Sequence, residues 1–410
     1  MNIKSIVTTS LMSALLIVGS CTSTPDFDDN LGIIIKPHRF SLVNWEFKAL
    51  LNEVKQLASN KAVKAEDSID MVLEYYSLIE QIKALKSQIA AINTSSGQSD
   101  TASLEAELNE LEEQKAELEG MVELIIGRQI TETLAQEGIF NPVCERVKIG
   151  FPPLNFELET PPRLLVISPR DRIESMREVL LKQASGLEAK EDIEDEVDQL
   201  GVSSLVVSLG GLAAYPSFIA EDAGLRFTID AATEEWLHQY LAFKPLGFHY
   251  VLDLTGVARN YDIATMNETL ASMVSKEIGT LTYEEYYARY DSDGNDDNKT
   301  ADWVSGFNQE IRNIRKLVDE YLARGEIEQA EKFMEQKRQY LASKGYHVRK
   351  LNQAYFAFYG TYADSPTSVS PIGLDLKELR NRTASLKDFL NTVAAMTNRH
   401  DLEAILKNNP

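Results

Sequence analysis

Residues 228–247 read TIDAATEEWLHQYLAFKPLG, and residues 264–279 read ATMNETLASMVSKEIG. Both stretches have helical patterning. In the first, Trp236, Leu237, Tyr240 and Leu241 supply an apolar face, and Pro245 ends the run soon after Phe243, since proline cannot continue a helix. Glu234, Glu235 and His238 then fall on neighbouring turns, because residues three and four apart share a helix face. The second helix has Glu268 in its first turns. One helix thus offers two carboxylates and an imidazole, and a later helix offers a third carboxylate. These side chains have no evident structural need, and they are the groups that bind divalent metals and move protons in hydrolysis.

The rest of the chain bounds what such a group can be. Its 410 residues are enough for two or three domains, and a net charge of −22 argues against nucleic acid, whose phosphates need clustered Lys and Arg. The N-terminus has Lys4, then an apolar run over 6–18 broken only by Thr and Ser, then Val18-Gly19-Ser20-Cys21. This is a signal-peptide core of residues 1–20, too short for a stable spanning helix. Its ending resembles a bacterial lipobox, which implies cleavage before Cys21 and lipid attachment to that thiol. An ordinary signal peptide with an incidental cysteine is the other reading. Thr22, in place of the aspartate that retains such proteins at the inner membrane, leaves the outer membrane or the outer leaflet of the plasma membrane open as the address. With Cys21 lipidated, only Cys144 remains, so no intramolecular disulfide is expected, and Cys144 reads as a buried packing thiol.

Residues 21–40 read as a tether rich in Ser, Thr, Pro and Asp, and 41–140 as a helical region beginning with a helix over 41–59. Within it, Tyr75, Leu78, Ile82, Leu85, Ile89 and Ile92 recur at alternating three- and four-residue steps. Leu104, Leu108, Leu111, Leu118, Val122 and Ile125 do the same, with one polar break at Lys115. The polar stretch 93–100 separates them, so 75–125 is expected to form an antiparallel coiled-coil hairpin. It is either a docking arm for an envelope partner or a spacer that buries its own seam.

From 141 to 410 an α+β domain with a helical C-terminal part is expected. The apolar runs 164–167 and 205–209 read as buried strands, with helices over 171–183 and 188–200 between them. The acidic turn 291–297 is rich in oxygen ligands. It lacks glycine at loop position six and has Asp302 at position twelve, so it reads as a solvated turn rather than a calcium site. Helices follow over 303–322, 327–341, 375–380 and 386–396, with an aromatic run at 355–362 between the second and third.

The pair of helices quoted first resembles the active-site pair of a gluzincin metallopeptidase. There, HExxH on one helix places two imidazoles one turn apart on a metal, with the intervening glutamate as general base, and a glutamate on a later helix completes the set. His238 matches the second histidine, Glu235 the base, and Glu268 in Asn267-Glu268-Thr269 the later glutamate; Glu234 stands where the first histidine belongs. The resemblance covers about fifty residues. It implies a predominantly helical, zincin-like α+β fold and a divalent metal, zinc in the family, held by Glu234, His238 and Glu268. Manganese or iron is an option, since carboxylate is the harder donor. It also implies hydrolysis of a peptide or protein substrate lying along an edge strand at 206–211, with Tyr359, Tyr362 or His249 as candidate oxyanion or substrate-binding groups. The alternative is a catalytically degenerate form that keeps the fold as a binding or scaffold module. A di-iron carboxylate bundle needs a second ExxH string, and no other histidine has a glutamate three residues before it.

Overall fold

The computed structural model describes residues 25–40, 65–95, 101–144, 146–183, 186–290, 297–363, 365 and 367–408. Cys21 with the signal peptide expected before it, the helix expected over 41–59 and residues 291–296 of the acidic turn lie outside them. Among the described residues are thirteen α-helices and six short strands, so the chain is α+β and predominantly helical. None of these helices is long and apolar enough to cross a membrane.

The expected tether is in part a helix, α1 (Pro25–Ile35). Phe27, Leu31, Ile34 and Ile35 recur at helical spacing and pack into an apolar cluster, and burial of an aliphatic side chain is worth about 2 kcal/mol, enough to order a segment whose composition looks like a linker. α2 (Ala65–Ser95) and α3 (Ala102–Gln136) lie along each other, and the pairs Tyr75–Glu119 (3.3 Å) and Lys86–Glu112 (2.8 Å) show that they run in opposite directions. The base of the pair is part of the main core, where Val72, Tyr75, Ile79, Val122, Ile126 and Ile130 pack. The polar break has a partner too: Lys115 Nζ reaches Glu221 at 2.7 Å and Glu119 at 3.4 Å.

The strands form two three-stranded sheets. β1 (Phe156–Leu158) belongs to one, and β2 (Arg163–Pro169) and β3 (Arg177–Leu181) to the other. β3 falls where a helix was expected. β2 is buried along nearly its whole length, and the segment from Arg177 supplies an antiparallel neighbour for its open side. α4 (Glu188–Asp198) leads into β4 (Val202–Ser208), which pairs antiparallel with β2, giving the order β3-β2-β4. Leu165, Ile167 and Val206 turn to the cluster that contains α1 and α4, while Leu164, Val166, Leu205 and Val207 turn the other way. Both faces are covered, so the runs are apolar throughout rather than alternating. β5 (Gly211–Leu212) and β6 (Ser217–Ile219) complete the other sheet, with β6 antiparallel to β5 and parallel to β1.

Three helices then build the centre: α5 (Leu225–Leu241), α6 (Pro245–Leu254) and α7 (Tyr261–Tyr286). Pro245 opens α6, as its missing N–H permits at a first turn. Asn260 caps α7, its Oδ1 accepting from Ile263 N at 3.2 Å. α8 (Asp297–Ala323) and α9 (Ile327–Ser343) form the expected pair, joined through Gly325 at φ +73°. α10 (Gln353–Tyr359) packs on the β2–β4 sheet, and α11 (Ile372–Arg382), α12 (Leu386–Ala394) and α13 (Arg399–Asn408) close the main core; α13 had no counterpart among the expected helices. Cys144, expected to be buried, is exposed in the loop between α3 and β1.

Candidate metal centre

α5 carries Glu234, Glu235 and His238, and α7 carries Asn267 and Glu268. The two helices run so close that a Cβ added to Gly279 would stand 1.8 Å from Asp230 Oδ1, so a side chain there would have to displace the Asp230 carboxyl. α5 is held from the other side by Trp236 Nε1, which donates to Pro152 O at 2.8 Å, and by Gln239 Nε2, which donates to Ala214 O at 2.6 Å and Ser217 Oγ at 2.9 Å.

One ligand atom from each of Glu234, His238 and Glu268 lies within 4.8 Å of the others. His238 Nε2 is 3.6 Å from Glu268 Oε2. Two ligands each ~2.1 Å from a tetrahedral ion stand about 3.4 Å apart, so this pair is spaced to share one. Nδ1 of His238 is 3.1 Å from Asn267 Oδ1. With the amide oriented this way its oxygen accepts the Nδ1 proton, which leaves the Nε2 lone pair facing Glu268, the tautomer ligation requires.

The electrostatics fit a cation. Burial pushes the Glu234 carboxyl up to about 7; Glu268 adds to the shift, while His238 and a hydrogen bond from Tyr362 oppose it. Glu235 is pushed well above the ordinary carboxylate range, first by burial and then by Glu234 and Glu268. Three carboxylates crowded into a poorly hydrated space repel one another, and a divalent ion is the charge that relieves them. One imidazole and two carboxylates form a donor set acceptable to zinc and also to harder ions.

Among the three proposed oxyanion groups the structure separates one. Tyr362 follows α10 on a loop pinned to α7 on either side: Tyr261 Oη donates to Gly360 O at 3.3 Å, and Ala363 N donates to Thr269 Oγ1 at 2.9 Å. Burial, then Glu268, Glu234 and Glu235, push its phenol well above its usual value. Tyr359 points elsewhere, its ring against Tyr355 at 4.6 Å and Phe358 at 4.9 Å. His249 lies against Phe248 at 6.1 Å and takes no part in the cluster. The residue after it does. Tyr250 Oη donates to Glu268 Oε1 in a short hydrogen bond, and its ring lies 5.9 Å from that of His238. A cavity of about 140 Å³ opens beside this group, with Glu178, Tyr250, Asp253, Tyr261, Glu268 and Tyr362 in its wall.

Residues 206–211 do not form one edge strand: 206–208 end β4, and Gly211 begins β5. The outer main-chain groups of β4 are occupied by side chains: Glu194 Oε1 accepts from Val206 N at 2.6 Å and Asp198 Oδ1 from Ser204 N at 2.7 Å. Arg349 Nη2 donates to Val206 O at 3.1 Å, and Asn352 Nδ2 to Ser204 O at 2.8 Å. A peptide cannot add there. The strand that adjoins the site is β5, whose Gly211 would place a Cβ 2.4 Å from Glu235 Oε1.

Tyr250 and the hydrogen bond between His238 and Asn267 went unread in the sequence. Tyr250 carried a faint signal, an aromatic hydroxyl on the short helix linking the two ligand helices. Compared with protein-family models, with curated proteins and with solved structures, the chain matches none.

Proposed function

We propose that this chain is a metal-dependent peptidase of gluzincin type, anchored in the cell envelope by a lipid on Cys21, with a zincin-like domain and α2 and α3 as a projecting hairpin. The observation that carries the reading is the convergence of Glu234, His238 and Glu268 from two helices, with Glu235 one residue from the first ligand. A divalent ion held there would supply a Lewis acid for the scissile carbonyl and make water more acidic. The chain's own groups do the rest. Glu235 takes the proton of the attacking water and passes it to the leaving amine nitrogen; its raised proton affinity suits a base that must hold a proton between two steps. Tyr362, held among the carboxylates, is the donor for the oxygen on which negative charge develops. β5, against Glu235, is the edge along which an extended substrate lies.

The test is metal analysis of the purified protein, followed by peptide hydrolysis by the parent chain and by Glu235→Gln. A stoichiometric divalent metal, with hydrolysis lost in the variant, supports the reading. A metal-free protein that behaves the same with and without Glu235 ends it. Glu234 favours one second reading, a retained shell that binds an envelope partner instead of cutting peptides, because an imidazole in that position would add no negative charge to the crowded carboxylates.

A further inference from the structure

Glu268 is bound at one oxygen and open at the other. Oε1 accepts the hydroxyl of Tyr250, while Oε2 faces His238 Nε2 at 3.6 Å. The same tyrosine packs its ring against the imidazole, centroids 5.9 Å apart with 31° between the planes, so one side chain touches two of the three converging residues. Tyr250 reaches them because α6 is short and docked: Asn260 N donates to Asp253 Oδ1 at 2.6 Å where α6 passes into α7, and Gly247 sits so near Leu241 O that a Cβ there would stand 2.0 Å away.

A carboxylate beside a cation can bind through one oxygen or chelate through both, and chelation fills a coordination position that a substrate needs. We propose that Tyr250 is a positioning residue that holds Glu268 to single-oxygen ligation and so keeps one coordination position open. This rests on the metal-site reading above. It gives Tyr250 a task different from that of Tyr362, which donates toward Glu234. It also explains why the site tolerates a carboxylate at 234: with Glu268 restricted to one oxygen, two glutamates and one histidine do not saturate the ion.

The experiment is cobalt titration of the full chain and of Tyr250→Phe, which removes the hydroxyl and keeps the ring. Visible absorption reports coordination number, since cobalt absorbs progressively more weakly as its coordination number rises from four to five to six. The parent is expected to give the stronger spectrum. Tyr250→Phe is expected to retain cobalt within about tenfold in affinity while its absorption falls at least twofold, with an unchanged thermal transition in the metal-free state. Tyr250→Leu, which also removes the ring packed on His238, is expected to give the same weak spectrum with looser binding. A parent that takes up no cobalt overturns the metal reading and this inference with it. A parent that takes it up, with a spectrum that Tyr250→Phe leaves superimposable, overturns the inference alone.

Discussion

Glu235 lies against the backbone of Gly211: a Cβ built on that glycine would stand 2.4 Å from Oε1 and 2.9 Å from Cγ. The proposed base and β5 are therefore in contact, and the strand carries no side chain at that point because the carboxylate fills the space. Gly211→Ala should displace Glu235 without unfolding the protein. An error near 1 Å in a catalytic group costs about a hundredfold in rate. Steady-state peptide hydrolysis should show kcat reduced by that order with metal content unchanged. An alanine variant with parental kcat would mean that Glu235 is not the base.

The region around the helix pair was legible in the sequence to different depths. α5 and α7 were readable because their helical patterning, and the proline that ends the first, are local properties. That Glu268 meets His238 is a tertiary fact, and the sequence offered only spacing and likeness. The oxyanion candidates show the limit clearly. His249 was named and Tyr250 was not, yet one step along a helix turns a side chain by about 100°, which carries His249 away from α7 and Tyr250 toward it. Tyr359 and Tyr362 differ in the same way: α10 ends at Tyr359, and the loop beyond it is tied to α7. The segment 171–183 was misread because its partner, the open side of β2, lies outside the local window. Residues 25–35 were misread because a polar composition hid four apolar residues on one helix face.

Away from the site, Glu123 makes a pH prediction. Burial holds its carboxyl at about 8, with Glu119 and Glu157 adding to the shift and a hydrogen bond from Leu158 N opposing it. Raised in the folded state, it stabilises the protein fully below its unfolded value of 4.5, and that contribution is lost as pH rises through 8. Urea unfolding should therefore show stability falling between pH 5 and pH 9. Glu123→Gln keeps an acceptor for Leu158 and removes the charge. It should flatten that fall and gain on the order of 3 kcal/mol at pH 9 relative to the parent. Equal slopes for the two proteins would count against it.

The blocked edge of β4 is an energetic prediction. Glu194 is 1% exposed and accepts from Arg349 on both oxygens, with Lys350 Nζ at 3.3 Å. Arg349→Leu removes the main partner and the donor to Val206 O. Stranding a buried charge costs roughly 3–5 kcal/mol, and Lys350 should hold the loss near the lower figure. Glu194→Gln added to Arg349→Leu should recover part of it, because a neutral amide still accepts from Val206 N. Chemical denaturation of the single and double variants measures both effects. A single variant as stable as the parent would show that the network is not what seals the edge.

Glu234 is the residue on which an active and a retained site diverge, and Glu234→His separates them. The substitution removes one of three crowded carboxylates and supplies the imidazole that completes the two-histidine pattern on α5. Two opposing terms follow. An imidazole at 234 strengthens binding of a softer ion such as zinc over manganese, while the hydrogen bond that Tyr362 makes to the Glu234 carboxylate is lost. Ligation should dominate, since a hydrogen bond is worth about 1 kcal/mol and a ligand to a structural or catalytic ion considerably more. Zinc affinity measured against a competing chelator should rise at least tenfold, and the preference for zinc over manganese should widen. Hydrolysis then decides between the readings. If the parent already cleaves peptides and the variant changes its metal preference and rate by modest factors, the carboxylate-rich site is a working one. If cleavage appears only with histidine at 234, the natural chain is the binding form, and β5 with its glycine edge is the surface on which to look for its partner.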